Sequence, residues 1–239
     1  MTDYSRQILT GDGADDYARY MRVDALLSLQ RRPDEVVHRD ELLFQVVHQS
    51  TELWLKLTCS DIAQAAADIA DGKLDAAVEL VNRAASATRL LTEQLEMMRF
   101  LSPWDFQTIR TVLGHGSGAD SPGWRLLRRA ARDLERAFSA LLADDRIDLV
   151  ELYLNGVHTP VHRLAEALIE WDERVALWRA RHYKVATRVI GHQVRGTQGT
   201  PVDVLAGLIS HKFFPDLWRV RTELTARGPM GEHNLAGTA

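Results

Sequence analysis

The stretch from Arg39 to Leu57 constrains this chain more than any other. It is built of helix-forming residues from end to end and holds neither glycine nor proline. At helical spacing Phe44, His48, Thr51 and Leu55 fall on one stripe, because positions four, seven and eleven residues apart stack along a face. That stripe is apolar except for one imidazole and one hydroxyl. A buried polar side chain costs free energy unless a partner satisfies it. Taken alone, a single histidine on an apolar face is most often a core residue bonded to a neighbour. What His48 faces is the question put to the rest of the chain.

Helical patterning continues on both sides of this stretch. Tyr17, Tyr20, Met21, Ala25, Leu27 and Leu29 suit an amphipathic helix from Asp16 to about Gln30, ended by Arg31-Arg-Pro33. The helix of His48 should run to about Asp71 and close at Gly72, and a second long one should follow from Lys73 to Phe100. Ser102-Pro103 and Ser121-Pro122 each read as an N-cap followed by a first-turn proline. They open a short helix through Phe106, Ile109 and Val112, and a longer one to about Ala143, with Gly114-His-Gly-Ser-Gly118 as the break between them. A segment at Leu149 to Leu154 stops at Asn155-Gly156, and the longest helix spans Pro160 to Ile190 before Gly191. Pro201 and Pro215 start the last two, to about Lys212 and Ala226. No strand pattern competes, so the fold class is all-α, with long helices lying as antiparallel neighbours. One domain is expected over residues 16–226, between a loose segment 1–15 and a disordered tail 227–239.

Composition bounds the partners. A net charge of −4 gives no basic footprint for nucleic acid, and no polybasic segment suggests a membrane surface. No apolar run approaches the roughly 20 residues that a spanning helix needs. The single cysteine, Cys59, cannot form an internal disulfide, which points to a reducing cytoplasm. With no basic neighbour inside its helical pattern, Cys59 reads as structural.

Two of the nine histidines carry chemistry worth following. His182 lies on a stripe with Val175, Trp178, Val185 and Val189, an imidazole in apolar and aromatic surroundings of the kind that a haem iron takes as its axial ligand. The pair His158 and His162 has metal-ligand spacing but no glutamate placed as in a zinc protease helix, so a structural or exposed role is favoured. His38, His115, His192, His211 and His233 fall near expected turns or termini, where solvation is the default. The loops Arg110-Thr-Val-Leu-Gly-His-Gly-Ser-Gly118 and Arg195-Gly-Thr-Gln-Gly-Thr-Pro201 combine an arginine with glycines and hydroxyls. Neither has phosphate-loop spacing or a preceding strand. An arginine in such a loop can grip a carboxylate with two parallel bonds, although plain helix-capping turns have the same composition.

Together these residues resemble a known family. His38-Arg-Asp-Glu-Leu-Leu-Phe-Gln-Val-Val-His-Gln-Ser-Thr-Glu-Leu-Trp54 is similar to the signature helix of tryptophan 2,3-dioxygenases. Tyr17-x-x-Tyr20-Met-x-x-Asp24 resembles the N-terminal helix that closes the site of a neighbouring subunit, and Phe106-x-x-x-Arg110-x-Val-Leu-Gly-x-x-Ser-Gly118 resembles the substrate-carboxylate segment. Leu177-Trp-Arg-x-Arg-His182 through Ile190-Gly191 resembles the proximal-histidine helix, while Arg195-Gly-Thr197 and Phe213-Phe-Pro-x-Leu217 resemble the late substrate loop and the final helix. The segments occur in the family's order and cover most of residues 17–222.

The resemblance implies an all-helical haem b enzyme, usually a homotetramer, that inserts O2 into the indole of L-tryptophan to give N-formylkynurenine. It implies His182 as the axial iron ligand, with Trp178 beside the cofactor, and His48 as the distal histidine that hydrogen-bonds the indole N–H. Phe44 would pack on the indole, Arg110 would pair with the substrate carboxylate, and Thr197 would hold the amino-acid end. Phe106, Ser117 and Gly118 would line the pocket, with Tyr17, Tyr20 and Met21 contributed by a second subunit. The chain departs from the family pattern at three places. Phe106 stands where a tyrosine is common, the loop after Gly191 is one residue longer, and the stretch from Gly118 to the proximal helix is markedly shorter. These leave open a same-fold haem enzyme that adds one oxygen to a substituted tryptophan or another aromatic amino acid. A helical haem-binding or sensor module without catalysis is the alternative from a different class.

Overall fold

The computed structural model describes residues 6–156, 158–196, 199 and 201–231. Two short helices, α1 (Asp16–Met21) and α2 (Val23–Leu27), precede the long α3 (Glu41–Ala70) and α4 (Leu74–Gln94). After α5 (Pro103–Arg110) come α6 (Pro122–Asp144), α7 (Leu149–Asn155) and the longest, α8 (Pro160–Ile190). The one-turn α9 (Val204–Gly207) and α10 (Pro215–Arg227) complete the chain. Among the described residues the only β-type pairing is an isolated bridge between Arg195 and Pro201, so the fold is all-α. Among the same residues no helix is long and apolar enough to cross a membrane.

The chain folds this way because its punctuation residues do what their chemistry allows. Gly72 takes φ +74° and ends α3 in a Schellman turn: the Lys73 N–H donates to Asp68 C=O at 2.7 Å and the Gly72 N–H to Ile69 C=O at 3.0 Å. The turn reverses the chain and lays α4 against α3. Ser102, Ser121 and Thr159 cap α5, α6 and α8, each followed by a proline in the first turn. α4 packs on both α3 and α8, and α3 packs in addition on α6. The main core lies between these four helices, around the fully buried Leu55, Ile62, Leu91, Leu127, Leu168 and Trp171. A second, smaller cluster around Val47, Ile109, Val185 and Val189 closes the other end, and Trp178 packs against both.

Three stretches differ from their periodicity. Residues 16–30 form two helices, because Arg22 turns into the left-handed region (φ 53°) and its N–H caps Ala18 C=O. Neither helix buries a residue, so no packed face holds the segment as one rod. From Leu95 to Phe100 the expected α-helix tightens into a 3-10 turn, which brings Leu95 and Met98, three residues apart, onto the same buried line. The helix expected from Pro201 to Lys212 is confined to Val204–Gly207, and the Asp203 side chain at its start accepts from Tyr183 Oη at 3.0 Å instead of capping it.

A buried carboxylate fixes the C-terminal part. Asp172, 2% exposed, accepts N–H bonds on Oδ2 from Phe213 (2.9 Å), Phe214 (3.3 Å) and Trp218 Nε1 (2.9 Å). Phe213 stacks on Trp171 as a result. Removing the acceptor strands three buried or half-buried donors, so Asp172→Ala should lose about 3–5 kcal/mol of stability, read as a lowered denaturant midpoint. A change under about 1 kcal/mol would mean water replaces the carboxylate there.

Candidate functional site

The helix α3 has two environments along its length. From Leu55 onward its inward face is core, whereas from Glu41 to Glu52 it lines a cavity of about 400 Å³. Phe44 and His48 form part of that wall, and Ile109, Leu113, Ser117 and Gly118 face them from α5 and the loop after it. Local geometry sets the chemistry of His48. Its Nδ1 lies 2.7 Å from the Phe44 carbonyl, which can only accept, so Nδ1 carries the proton and Nε2 is left as a bare acceptor. The ring is exposed to solvent on the cavity wall, while the fold around it still disfavours the charged form. Burial lowers its pKa, partly opposed by the Phe44 carbonyl and by the nearby Glu52 carboxylate. Phe44 lies against the His48 ring at 4.1 Å and against Phe106 at 5.8 Å between centroids.

His182 approaches from α8. Burial, with a smaller push from the charge His48 would carry, drives its pKa down to about 4. The two imidazoles are close enough that protonating one disfavours the other. Among the described residues the His182 ring has no hydrogen-bond partner, so a neutral nitrogen is left for a ligand. Trp178, one turn earlier, stacks on it with centroids 4.9 Å apart and planes 9° from parallel, and Trp124 of α6 lies against Trp178 at 3.9 Å with the rings tilted by 36°. His182 and Trp178 lie outside the lining of the His48 cavity. A neutral imidazole on a long helix, backed by aromatics and within electrostatic reach of a second histidine, is a donor that a haem iron takes, so these residues fit a haem.

The other expected site residues are only partly gathered. Phe44, His48, Ser117 and Gly118 share the cavity, and Phe106 is held next to it through Phe44. Arg110 ends α5 outside that lining, where its guanidinium reaches Gln107 Oε1 (3.3 Å) and the Arg195 carbonyl (3.4 Å). This contact brings the two arginine-bearing loops together. Thr197 lies outside the described residues. Tyr17, Tyr20 and Met21 are 68%, 77% and 52% exposed on helices with no buried residue, so one copy of the chain does not bring them into the cavity.

The family profile described as Tryptophan 2,3-dioxygenase matches residues 5–137, more than half of the chain. The chain belongs to the tryptophan 2,3-dioxygenase family. It is accordingly an enzyme of the dioxygenase class. Curated proteins named tryptophan 2,3-dioxygenase from Bacillus thuringiensis (strain Al Hakam) and Myxococcus xanthus (strain DK1622) are each 29% identical to it. The first alignment covers 87% of this chain and 92% of the relative, the second 91% and 92%. A relative from Kineococcus radiotolerans, also so named, is 29% identical over 94% of both chains.

Against that family pattern, the geometry adds residues that the motifs did not single out. Glu52 lines the cavity one helical turn from His48, and Gln45, Gln49 and Ser121 lie beside it. The spacing of Glu41, Gln45, His48 and Glu52 along α3 was the available signal, since residues three and four apart share a face. Elsewhere, His38, Asp40 and Asp105 place their ligand atoms within 4.8 Å of one another. His38 Nδ1 accepts from the Asp40 N–H at 3.2 Å, which puts the ring proton on Nε2, facing Asp105 at 3.7 Å. The group thus reads as a clasp between α5 and the start of α3.

The His48 assignment predicts a nitrogen-NMR signature. The protein labelled with ¹⁵N-histidine should show the Nδ1-protonated tautomer for His48, titrating below the usual value of 6.5. Because folding disfavours protonation, the stability that the neutral ring contributes is complete above about pH 6.5 and declines as the pH falls through the lower folded value. An Nε2-protonated ring at neutral pH would remove the acceptor from the cavity.

Proposed function

We propose that this protein is a haem-dependent tryptophan 2,3-dioxygenase, inserting both atoms of O2 across the indole C2–C3 bond of L-tryptophan to give N-formylkynurenine. The observation that carries the reading is a pair of imidazoles near enough to feel each other's charge, His48 on the cavity wall and His182 on α8 outside its lining. His182 offers a nitrogen with no other partner, and His48 offers an acceptor over a wall that includes Phe44. His182 would hold the iron of haem b, with Trp178 behind it. When bound, that group supplies the activation of O2.

The chain's own residues would bind and orient. His48 Nε2 would accept the indole N–H, fixing the ring's rotation, while Phe44 and Phe106 would pack on its faces and Ser117 and Gly118 would bound the distal space. Holding the indole carbons at near-contact distance from the oxygen converts an encounter into an intramolecular step. Arg110 would turn from the Arg195 carbonyl to the substrate carboxylate, joined by Thr197 at the amino-acid end. Tyr17, Tyr20 and Met21 would reach the site of a second copy of the chain, in a homotetramer or another homo-oligomer. Their exposure in one copy supports this, and activity would then depend on protein concentration.

Phe106 supports a second reading. It presents an apolar ring where a hydroxyl is common in the family, so the same site could take a substituted indole and add one oxygen. Incubation of reduced, haem-loaded protein with L-tryptophan and O2, followed by product mass, separates the readings. Two added oxygens with ring opening are expected, one would favour mono-oxygenation, and haem uptake without turnover would make the chain a haem-binding module. Arg110→Ala should raise the L-tryptophan KM roughly 10- to 100-fold with the haem spectrum unchanged, as loss of a charge-assisted carboxylate pair requires. His48→Ala should keep haem and lower kcat by about tenfold, the worth of one hydrogen bond. Complete loss would instead assign His48 an obligatory proton transfer.

A further inference from the structure

The inference concerns Glu52, a carboxylate on the cavity wall that no family motif role covers. Its Oε1 accepts from Ser121 Oγ at 2.5 Å and its Oε2 from the Gly123 N–H at 2.9 Å. Both donors belong to the first turn of α6, whose N-terminus favours a negative charge. Ser121 Oγ in turn accepts the Trp124 N–H at 3.1 Å, so the carboxylate, the cap and the first-turn amides form one network. The approach of the two helices is as close as it can be. A Cβ on Gly123 would stand 2.6 Å from Glu52 Oε2 and 2.8 Å from Leu55, so only glycine lets α6 dock here.

What α6 carries next is Trp124. Its ring lies on Trp178 at 3.9 Å, and Trp178 lies nearly parallel to His182 at 4.9 Å. The contacts therefore run without a gap from the His48 helix, through Glu52 and the start of α6, to the back of the His182 ring. The Trp178 indole N–H has no partner among the described residues, so no hydrogen bond fixes that ring and its tilt is set by packing, in which Trp124 makes the nearest ring contact. We propose that Glu52 is a positioning residue for His182: by pinning the first turn of α6 it sets the tilted Trp124–Trp178 contact that holds the imidazole's orientation. The proposal rests on the reading of His182 as the iron ligand, and one arm of its test needs no haem.

Two indoles in close, tilted contact give an exciton couplet in far-ultraviolet circular dichroism, which the full chain should show before haem loading and which Trp178→Phe should abolish. The orientation of a ligating imidazole is read from the iron–histidine stretching band in the resonance Raman spectrum of the ferrous holoprotein. Glu52→Ala should lower the couplet by at least half and displace the stretching band, with overall helicity unchanged. Glu52→Gln keeps one acceptor oxygen and should restore most of both signals. Gly123→Ala should reproduce the loss although Glu52 is present, because the added methyl pushes α6 away. A folded Glu52→Ala protein with a wild-type couplet and band overturns the proposal. Should Glu52→Ala not fold, an unchanged couplet and band in Gly123→Ala overturns it equally. A wild-type protein that shows the couplet but takes up no haem overturns the role of His182, and with it the functional reading, independently of the Glu52 variants.

Discussion

The fold depends on α3 serving as core helix and cavity wall at once, and the transition between the two roles falls at Glu52 and Leu55. Leu55 is fully buried where α3 meets α6, and Glu52, one turn earlier, meets the α6 N-terminus with charge and hydrogen bonds. A helix N-terminus docked on an apolar face would leave its amides without acceptors. The carboxylate supplies them, and the absence of a side chain on Gly123 supplies the room. Because α6 is held there, Trp124 reaches Trp178, the ring that stacks on His182. The same contact stands beside Cys59, whose thiol burial pushes its pKa up to about 11, with a smaller push from Glu52. That cysteine is inert packing, as its lack of a basic neighbour implied.

Much of this architecture was legible in the chain. Boundaries marked by chemistry with one structural outcome were readable to within a residue or two: Ser102-Pro103, Ser121-Pro122, Gly72 and Gly191 all stand where their caps and turns require. Boundaries set by tertiary burial were not readable. The break at Arg22 has no glycine or proline to announce it, and it falls in a segment where, among the described residues, neither α1 nor α2 buries a side chain. The 3-10 turn at Leu95–Phe100 answers to where the second cluster sits, which periodicity within one segment cannot report.

The site divides in the same way. His48 and His182 could be picked out as polar residues on apolar stripes, a local pattern; His48 lines the cavity, while His182 lies outside its lining and within electrostatic reach of His48. Glu52 was invisible as a site residue, since a glutamate four positions from a histidine on a helix is ordinary and its partners lie about seventy residues away. Arg110 shows the opposite case. Its loop composition suggested a carboxylate grip, but its guanidinium is occupied by Gln107 and the Arg195 carbonyl. Those are weak, neutral acceptors at 3.3 and 3.4 Å, the kind of partners a charged group exchanges for an anion at little cost.

The acceptor character of His48 follows from backbone geometry alone. In a helix the carbonyl four residues back is the nearest acceptor to a side chain leaning toward the N-terminus, and Thr51, Thr58 and Thr88 all make that same bond. For a hydroxyl the bond merely satisfies a donor. For an imidazole it assigns the proton to Nδ1 and so defines what Nε2 can do across the cavity. A glutamine at this place would present either an N–H or an oxygen by flipping its amide, and a lysine only donors. Histidine, held by its own helix and with its charged form disfavoured by desolvation, is the residue that presents a fixed acceptor to an N–H while its other nitrogen stays satisfied. The stripe of Phe44 and His48 thus carries a directional hydrogen bond that the helix itself orients.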